Sequence, residues 1–173
     1  MPRIITARKA EAERGRADQY IKNAVLIPAA LLGLVALLLG YGAVVYLFFV
    51  REALPIVVDS STLLITGAII GLGHALYQGF LFRTYPDHFA RKQRRRDLIR
   101  AGNVRKLEVV DPIAHPGRGL IITAYIGLFS GFIWLAFVYS SRLNPLAAIC
   151  LPLAGFYNAR FLYWKRRFPQ PSR

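Results

Sequence analysis

Residues 24–50 read AVLIPAALLGLVALLLGYGAVVYLFFV and contain no charged side chain. About 20 helical residues suffice to cross the hydrocarbon core of a bilayer, so this stretch is long enough to span one. The apolar part of a cleaved secretory signal is only about 7 to 15 residues long. We therefore predict that this stretch is a retained transmembrane helix and decides the class of the fold.

Three further apolar stretches follow, at about residues 60–82, 119–139 and 143–164. Between and around them lie an N-terminal segment (1–23), a long loop (83–118) and a tail (165–173). The chain has 173 residues and is 55% hydrophobic, which is more apolar surface than a soluble domain of this length can bury. These features predict an all-α membrane protein with four transmembrane helices.

The distribution of basic residues predicts the orientation. Of 23 Lys and Arg residues, 21 lie in the N-terminal segment, the loop and the C-terminal end, whereas Arg51 and Arg142 lie in the two short connections. Cytoplasmic segments are enriched in Lys and Arg, so both termini and the loop are predicted to be cytoplasmic. The short outer connections predict two antiparallel hairpins, the first helix with the second and the third with the fourth. A bacterial inner membrane is the predicted location, because Arg exceeds Lys and no organellar presequence is evident.

The loop carries a dense basic cluster. We predict a helix that starts at Pro86, with Asp87 as its N-cap, and stops at Gly102, followed by a short extended piece at 104–110. The cluster is the predicted docking site for anionic lipid or a partner protein; its alternative role is only to set the orientation. Nucleic acid is not an expected partner. The cluster comprises Arg91, Lys92, Arg94, Arg95, Arg96 and Arg100.

Small and polar residues recur at helical spacing within the spans. Such residues let helices approach closely in lipid and hydrogen-bond to one another. We predict that they form the helix-packing faces, with other membrane subunits or a second copy of the chain as further partners, and that Pro152 kinks the fourth span. The first span carries Ala29, Gly33, Ala36, Gly40 and Ala43; the second Gly67, Gly71, His74 and Gln78; the third Gly127 and Gly131; the fourth Asn158.

His74 is the one side chain within the spans that titrates near neutral pH, which makes it a candidate for function. A haem site would need a second histidine from a partner chain, and a proton relay would need a carboxylate within the spans. The favoured interpretation is that His74 makes a hydrogen bond across a helix interface.

A second candidate site combines Asp87 and His88 with Asp111 and His115, at the two ends of the loop. Their spacing matches no known metal motif, and we predict no cofactor or metal.

Three functions fit these features. The favoured one is a non-catalytic accessory, assembly or scaffold subunit of a larger inner-membrane complex, docking through the basic loop and the small-residue faces. The alternative is a small oligomeric transporter or channel for a small solute, which uses the kinked fourth span and a polar stripe of Thr66, His74, Gln78 and Asn158. The third is a membrane enzyme acting on a lipid phosphate.

Overall fold

The computed structural model describes residues 2–51, 55–102, 118–140 and 143–168. Within these ranges every regular element is helical. The elements are α1 (Pro2–Ile21), a π-helical turn (Lys22–Leu26), α2 (Ile27–Arg51), α3 (Pro55–Thr84), α4 (Pro86–Arg100), α5 (Arg118–Ser140) and α6 (Pro145–Arg167). The predicted extended piece at 104–110 lies outside the described residues.

The all-helical class and the membrane-spanning character are confirmed for the described part of the chain. Four helical stretches there are long and apolar enough to cross a membrane: Glu11–Val50, Ile56–Thr84, Ile122–Tyr139 and Pro145–Arg167. The chain thus has the architecture of a multi-pass membrane protein. The pairing into two hairpins and the orientation of the termini stay predictions; connecting residues 52–54 and 141–142 lie outside the described ranges.

The first span begins earlier than its uncharged run. The N-terminal segment is itself helical from Pro2, and the helix runs through the π-helical turn into α2.

The chain divides into two compact units. The helix-pair unit comprises Met1–Ile27 and Tyr77–His115, and the bundle unit comprises Pro28–Leu76 and Pro116–Arg173.

In the bundle unit, α6 contacts both α2 and α3 through their glycines. A Cβ atom built on Gly67 of α3 would lie 2.0 Å from the carbonyl oxygen of Pro152 in α6, and one on Gly71 would lie 2.3 Å from the carbonyl oxygen of Phe156. On α2, a Cβ on Gly40 would lie 2.9 Å from the side chain of Leu151. Since real Cβ contacts are longer than 2.3 Å and the facing atoms belong to the backbone, the approach of α6 requires glycine at Gly67 and Gly71, whereas at Gly40 the facing Leu151 side chain can shift.

The apolar core of the bundle unit lies where α2 ends and α3 and α6 begin. Asn144 caps α6 by accepting a hydrogen bond from the backbone N–H of Leu146 at 3.0 Å, and Pro145 occupies the first helical position. The core residues are Ala43, Val44, Leu47, Ile56, Leu63, Leu143, Ala147 and Leu151. Burial of these residues therefore joins three of the spans at one end.

The expected start of α4 needs a correction. Asp87 is not its N-cap: Tyr85 occupies the cap position without a side-chain hydrogen bond, Pro86 is the first helical residue, and Asp87 lies in the first turn. Proline suits that position because its missing N–H would have no helical partner there. The negative charge of Asp87 stabilises the helix, since the N-terminal end of the helix dipole is positive. Gly102 has a φ of +69°, the left-handed conformation that commonly follows a helix end.

The predicted packing role of Gly127 and Gly131 stays a prediction. Among the described residues, no atom lies within 4 Å of a Cβ atom built at either position, although α5 packs against α6.

Candidate functional site

The basic cluster lies on a helix that is held by α1. Within the helix-pair unit, α4 packs against α1, and Phe89, Ala90 and Gln93 are buried in α4. The ring of Phe89 lies 5.9 Å from that of Tyr20 in α1 and 5.8 Å from that of Phe82. Ala17 and Ile21 of α1 are fully buried. Apolar burial therefore fixes one side of α4 in place.

Two basic side chains of the cluster also bind α1. The guanidinium of Arg94 donates a hydrogen bond to the carboxylate of Glu13 at 3.0 Å, forming an ion pair. The guanidinium of Arg96 lies over the ring of Tyr20, 5.0 Å from its centroid, at a distance typical of a cation–π contact. These contacts orient α4 about its own axis.

The opposite side of α4 is exposed and basic. At 100° per residue, four basic positions fall within an arc of about 140°, and only Arg96, at one edge of this arc, adjoins the buried Phe89. This arc, named the basic face, consists of Arg91, Lys92, Arg95 and Arg96, all of which are exposed. Arg100 is also exposed but lies beyond the arc at the helix end, and Arg94 lies on the side of α1. The structure thus places Arg91, Lys92 and Arg95 on the exposed side and Arg94 on the side that contacts α1, while Arg96 lies at the boundary, exposed and in contact with Tyr20.

The polar residues of the bundle unit make contacts between helices. His74 of α3 hydrogen-bonds the hydroxyl of Tyr125 in α5, and its ring lies 5.5 Å from that of Phe156 in α6. The side-chain amide of Asn158 in α6 donates to the backbone carbonyl oxygens of Gly33 in α2, at 3.1 Å, and of Ala154 in its own helix, at 2.9 Å. Each polar group is therefore satisfied by a neighbouring helix.

The two remaining residues of the proposed polar stripe are not joined to His74 and Asn158. The hydroxyl of Thr66 donates to the backbone of Thr62 within α3. Gln78 belongs to the helix-pair unit, and its side-chain oxygen is buried with no hydrogen-bond partner among the described residues. Thr66, His74 and Gln78 share helical spacing on α3, but they and Asn158 lie in separate local environments.

Removing the hydroxyl that binds His74 should destabilise the bundle. We expect Tyr125→Phe to lower the free energy of unfolding by about 1 kcal/mol, the usual range for hydrogen bonds between membrane helices. The matched control is Tyr41→Phe in α2, because both tyrosines are 39% exposed. Thermal unfolding in detergent measures the difference, and equal melting temperatures for both variants would contradict a structural role for this bond.

The second candidate site, which combines Asp87 and His88 with Asp111 and His115, is only partly within the described residues. Asp87 is exposed at the start of α4, and the ring of His88 lies 5.4 Å from that of Phe89. Asp111 and His115 lie outside the described ranges. Among the described residues, no group of three His, Cys, Asp or Glu side chains is placed to hold a metal ion.

Sequence reasoning missed the partners of both sites. Glu13 and Tyr20 lie in a largely polar N-terminal segment, yet Ala17, Ile21 and Val25 recur there at a spacing of four, which is typical of a buried helix stripe. Tyr125 lies close to Gly127 in its span and is not part of a spacing motif. Its signal is chemical, because a tyrosine inside a membrane helix needs a hydrogen-bond partner. Comparison of the chain with protein-family models, with curated proteins and with solved structures finds no match.

Proposed function

We propose that this chain is a non-catalytic accessory, assembly or scaffold subunit of a larger inner-membrane complex, and that it docks through the basic face of α4. The observation that carries the proposal is the exposure of Arg91, Lys92, Arg95 and Arg96 on a helix whose other side is buried against α1. A charged surface held on a packed helix loses little conformational entropy when a partner binds. Its partner is an acidic protein surface on the cytoplasmic side.

Anionic lipid headgroups suit the same face, since each basic residue near such a surface contributes about 1 kcal/mol. That attraction would hold the face near the membrane and limit the orientations in which a partner subunit can dock. The transporter alternative has less support. His74 and Asn158 bond to neighbouring helices, and the close approach of α3 to α6 at Gly67 leaves no space for a solute there.

The test is capture of the complex after gentle detergent extraction from the native membrane, followed by mass spectrometry. The unmodified chain should retain a stoichiometric partner. The double variant Arg91→Glu and Arg95→Glu should lower partner recovery at least about tenfold, because two reversed charges of about 1 kcal/mol each exceed the 1.4 kcal/mol that corresponds to a factor of ten. Both residues are exposed and neither belongs to the buried side of α4, so the helix pair should remain folded.

The matched control reverses two exposed basic residues at the end of α6, Lys165→Glu and Arg166→Glu, and changes the net charge equally. It should retain the partner. Recovery of the unmodified chain as a homo-oligomer without a partner would reject the accessory role. Equal losses in the two double variants would show that net charge, and not the basic face, is responsible.

A further inference from the structure

A groove lies between α1 and α4, on the side of α4 away from the basic face. Its volume is about 570 Å³, within the range of small-ligand sites. It is lined by Arg16 from α1 and by Arg94, Asp97, Leu98 and Ala101 from the end of α4. All of these residues belong to the helix-pair unit.

The lining carries both signs of charge, and each charged group keeps hydrogen-bonding capacity. Arg94 binds Glu13 through one terminal nitrogen, whereas its Nε is buried without an acceptor among the described residues. Asp97 accepts one hydrogen bond, at 2.9 Å, from the amide of Gln93, which is 2% exposed and therefore a fixed donor. In the described part of the chain, Arg16 has no ion-pair partner.

This combination selects a ligand that carries a negative and a positive group close together. Two guanidinium groups suit a phosphate, while the carboxylate of Asp97 would repel a ligand that is only anionic. The same carboxylate suits an ammonium group, and Leu98 with Ala101 can contact the short carbon chain that joins the two charges. The basic face, in contrast, has no carboxylate and would favour purely anionic surfaces.

The position of the groove along α1 indicates a lipid and not a soluble molecule. Arg16 precedes Tyr20 by four residues, about 6 Å along a helix. Tyrosine at the end of a span is expected at the level of the lipid headgroups. An arginine side chain is long enough to cover that distance, so Arg16, on the α1 side of the groove, is within reach of the headgroup layer.

We propose that the groove binds the headgroup of a zwitterionic aminophospholipid of the ethanolamine type. Arg16 and Arg94 hold the phosphodiester, and Asp97, fixed by Gln93, holds the ammonium group. This site lies apart from the basic face, so it does not depend on the proposed docking function.

The test uses the full chain purified in detergent and mixed with equal amounts of phosphatidylethanolamine and phosphatidylglycerol that carry the same acyl chains. Native mass spectrometry counts the lipid that stays bound. Because the basic face also attracts the anionic glycerol lipid, every sample carries Arg91→Glu and Arg95→Glu. In this background the chain should retain the ethanolamine lipid in preference to the glycerol lipid. Asp97→Asn should reduce that preference about tenfold, because a hydrogen bond between two charged groups is lost.

Arg16→Ala should weaken retention of both lipids, since both contain the phosphodiester. Its matched control, Arg14→Ala, changes an exposed arginine on the same helix that does not line the groove, and it should change nothing. Ala101→Leu fills the groove without altering charge and should also lower retention, which keeps the test valid if Asp97→Asn fails to fold.

Equal retention of the two lipids in the Arg91→Glu and Arg95→Glu background would overturn the proposal, as would an unchanged preference when Asp97→Asn is added and the protein stays folded. A further experiment measures the binding of soluble glycerophosphoethanolamine, which has the headgroup without acyl chains. Binding of this compound as tightly as the lipid would overturn the assignment to a membrane lipid.

Discussion

Replacing Gly67 with alanine is expected to force α3 and α6 apart and to lower the free energy of unfolding by about 3 kcal/mol. The added Cβ would lie 2.0 Å from the carbonyl oxygen of Pro152, a backbone atom that cannot rotate away. Inserting one methyl group into a packed site usually costs about 1 to 3 kcal/mol, and contact with backbone places this site at the upper end.

The contact involves glycine on both helices. A Cβ on Gly155 of α6 would lie 2.0 Å from the carbonyl oxygen of Leu64 in α3. Gly155→Ala should therefore be similarly costly. Because the two changes separate the same pair of helices, the double variant should lose less stability than the sum of the single variants.

The reactivity of Cys150 measures this loss of stability. Cys150 is the one cysteine of the chain and is only 9% exposed, so a fluorogenic thiol reagent reports when the bundle unit opens. The temperature at which Cys150 reacts should fall by roughly 10 °C in Gly67→Ala, following the usual relation between stability and melting temperature.

The matched control is Gly73→Ala, on the same helix, where no atom lies within 4 Å of the built Cβ. It should be neutral or slightly stabilising, since alanine favours a helix over glycine by up to about 1 kcal/mol. Identical reaction temperatures for the Gly67 and Gly73 variants would show that the two helices do not approach as closely as described.

The spacing of Gly67 and Gly71 indicates that α3 has a close-packing face, but spacing alone does not identify the helix that packs there. In lipid, any helix can fill a small-residue face, because apolar surface is not driven toward one partner by water. Gly127 and Gly131 show the same limit. They have the spacing of a packing motif, yet α5 contacts α6 through other residues.

The helix-pair unit was harder to predict for a different reason. Charges at Glu13, Arg14 and Arg16 make the N-terminal segment resemble a solvated tail, and they conceal the buried positions Ala17 and Ile21. The basic cluster on α4 was evident as a run of charges. Its division into an exposed face and a side that contacts α1 depends on which residues lie opposite it, and a linear pattern does not contain that information.

Replacing Phe89 with alanine is expected to release α4 from α1. Phe89 is 2% exposed, and its ring contacts those of Tyr20 and Phe82. Truncating a buried phenylalanine costs about 3 to 5 kcal/mol. The ion pair between Arg94 and Glu13 cannot replace this loss, since a partly exposed ion pair contributes only about 1 kcal/mol or less.

Limited digestion with trypsin measures the release, because α4 contains a run of arginines that a protease cleaves only when the helix opens. At least 3 kcal/mol of local destabilisation corresponds to cleavage about 100-fold faster at Arg91 to Arg96, identified from the fragment masses. The control Ile99→Ala removes an apolar side chain of the same helix that is 53% exposed, and it should change the rate less than about twofold.

The reactivity of Cys150 in the same samples shows whether the bundle unit stays folded. Fast cleavage of α4 with a protected Cys150 would mean that the helix pair opens by itself, as expected if the basic face is positioned mainly by Phe89 and its ring contacts. Fast cleavage together with an exposed Cys150 would mean that the variant unfolds the whole chain. An unchanged cleavage rate would mean that Phe89 does not hold α4, and the docking surface would then need another source of rigidity.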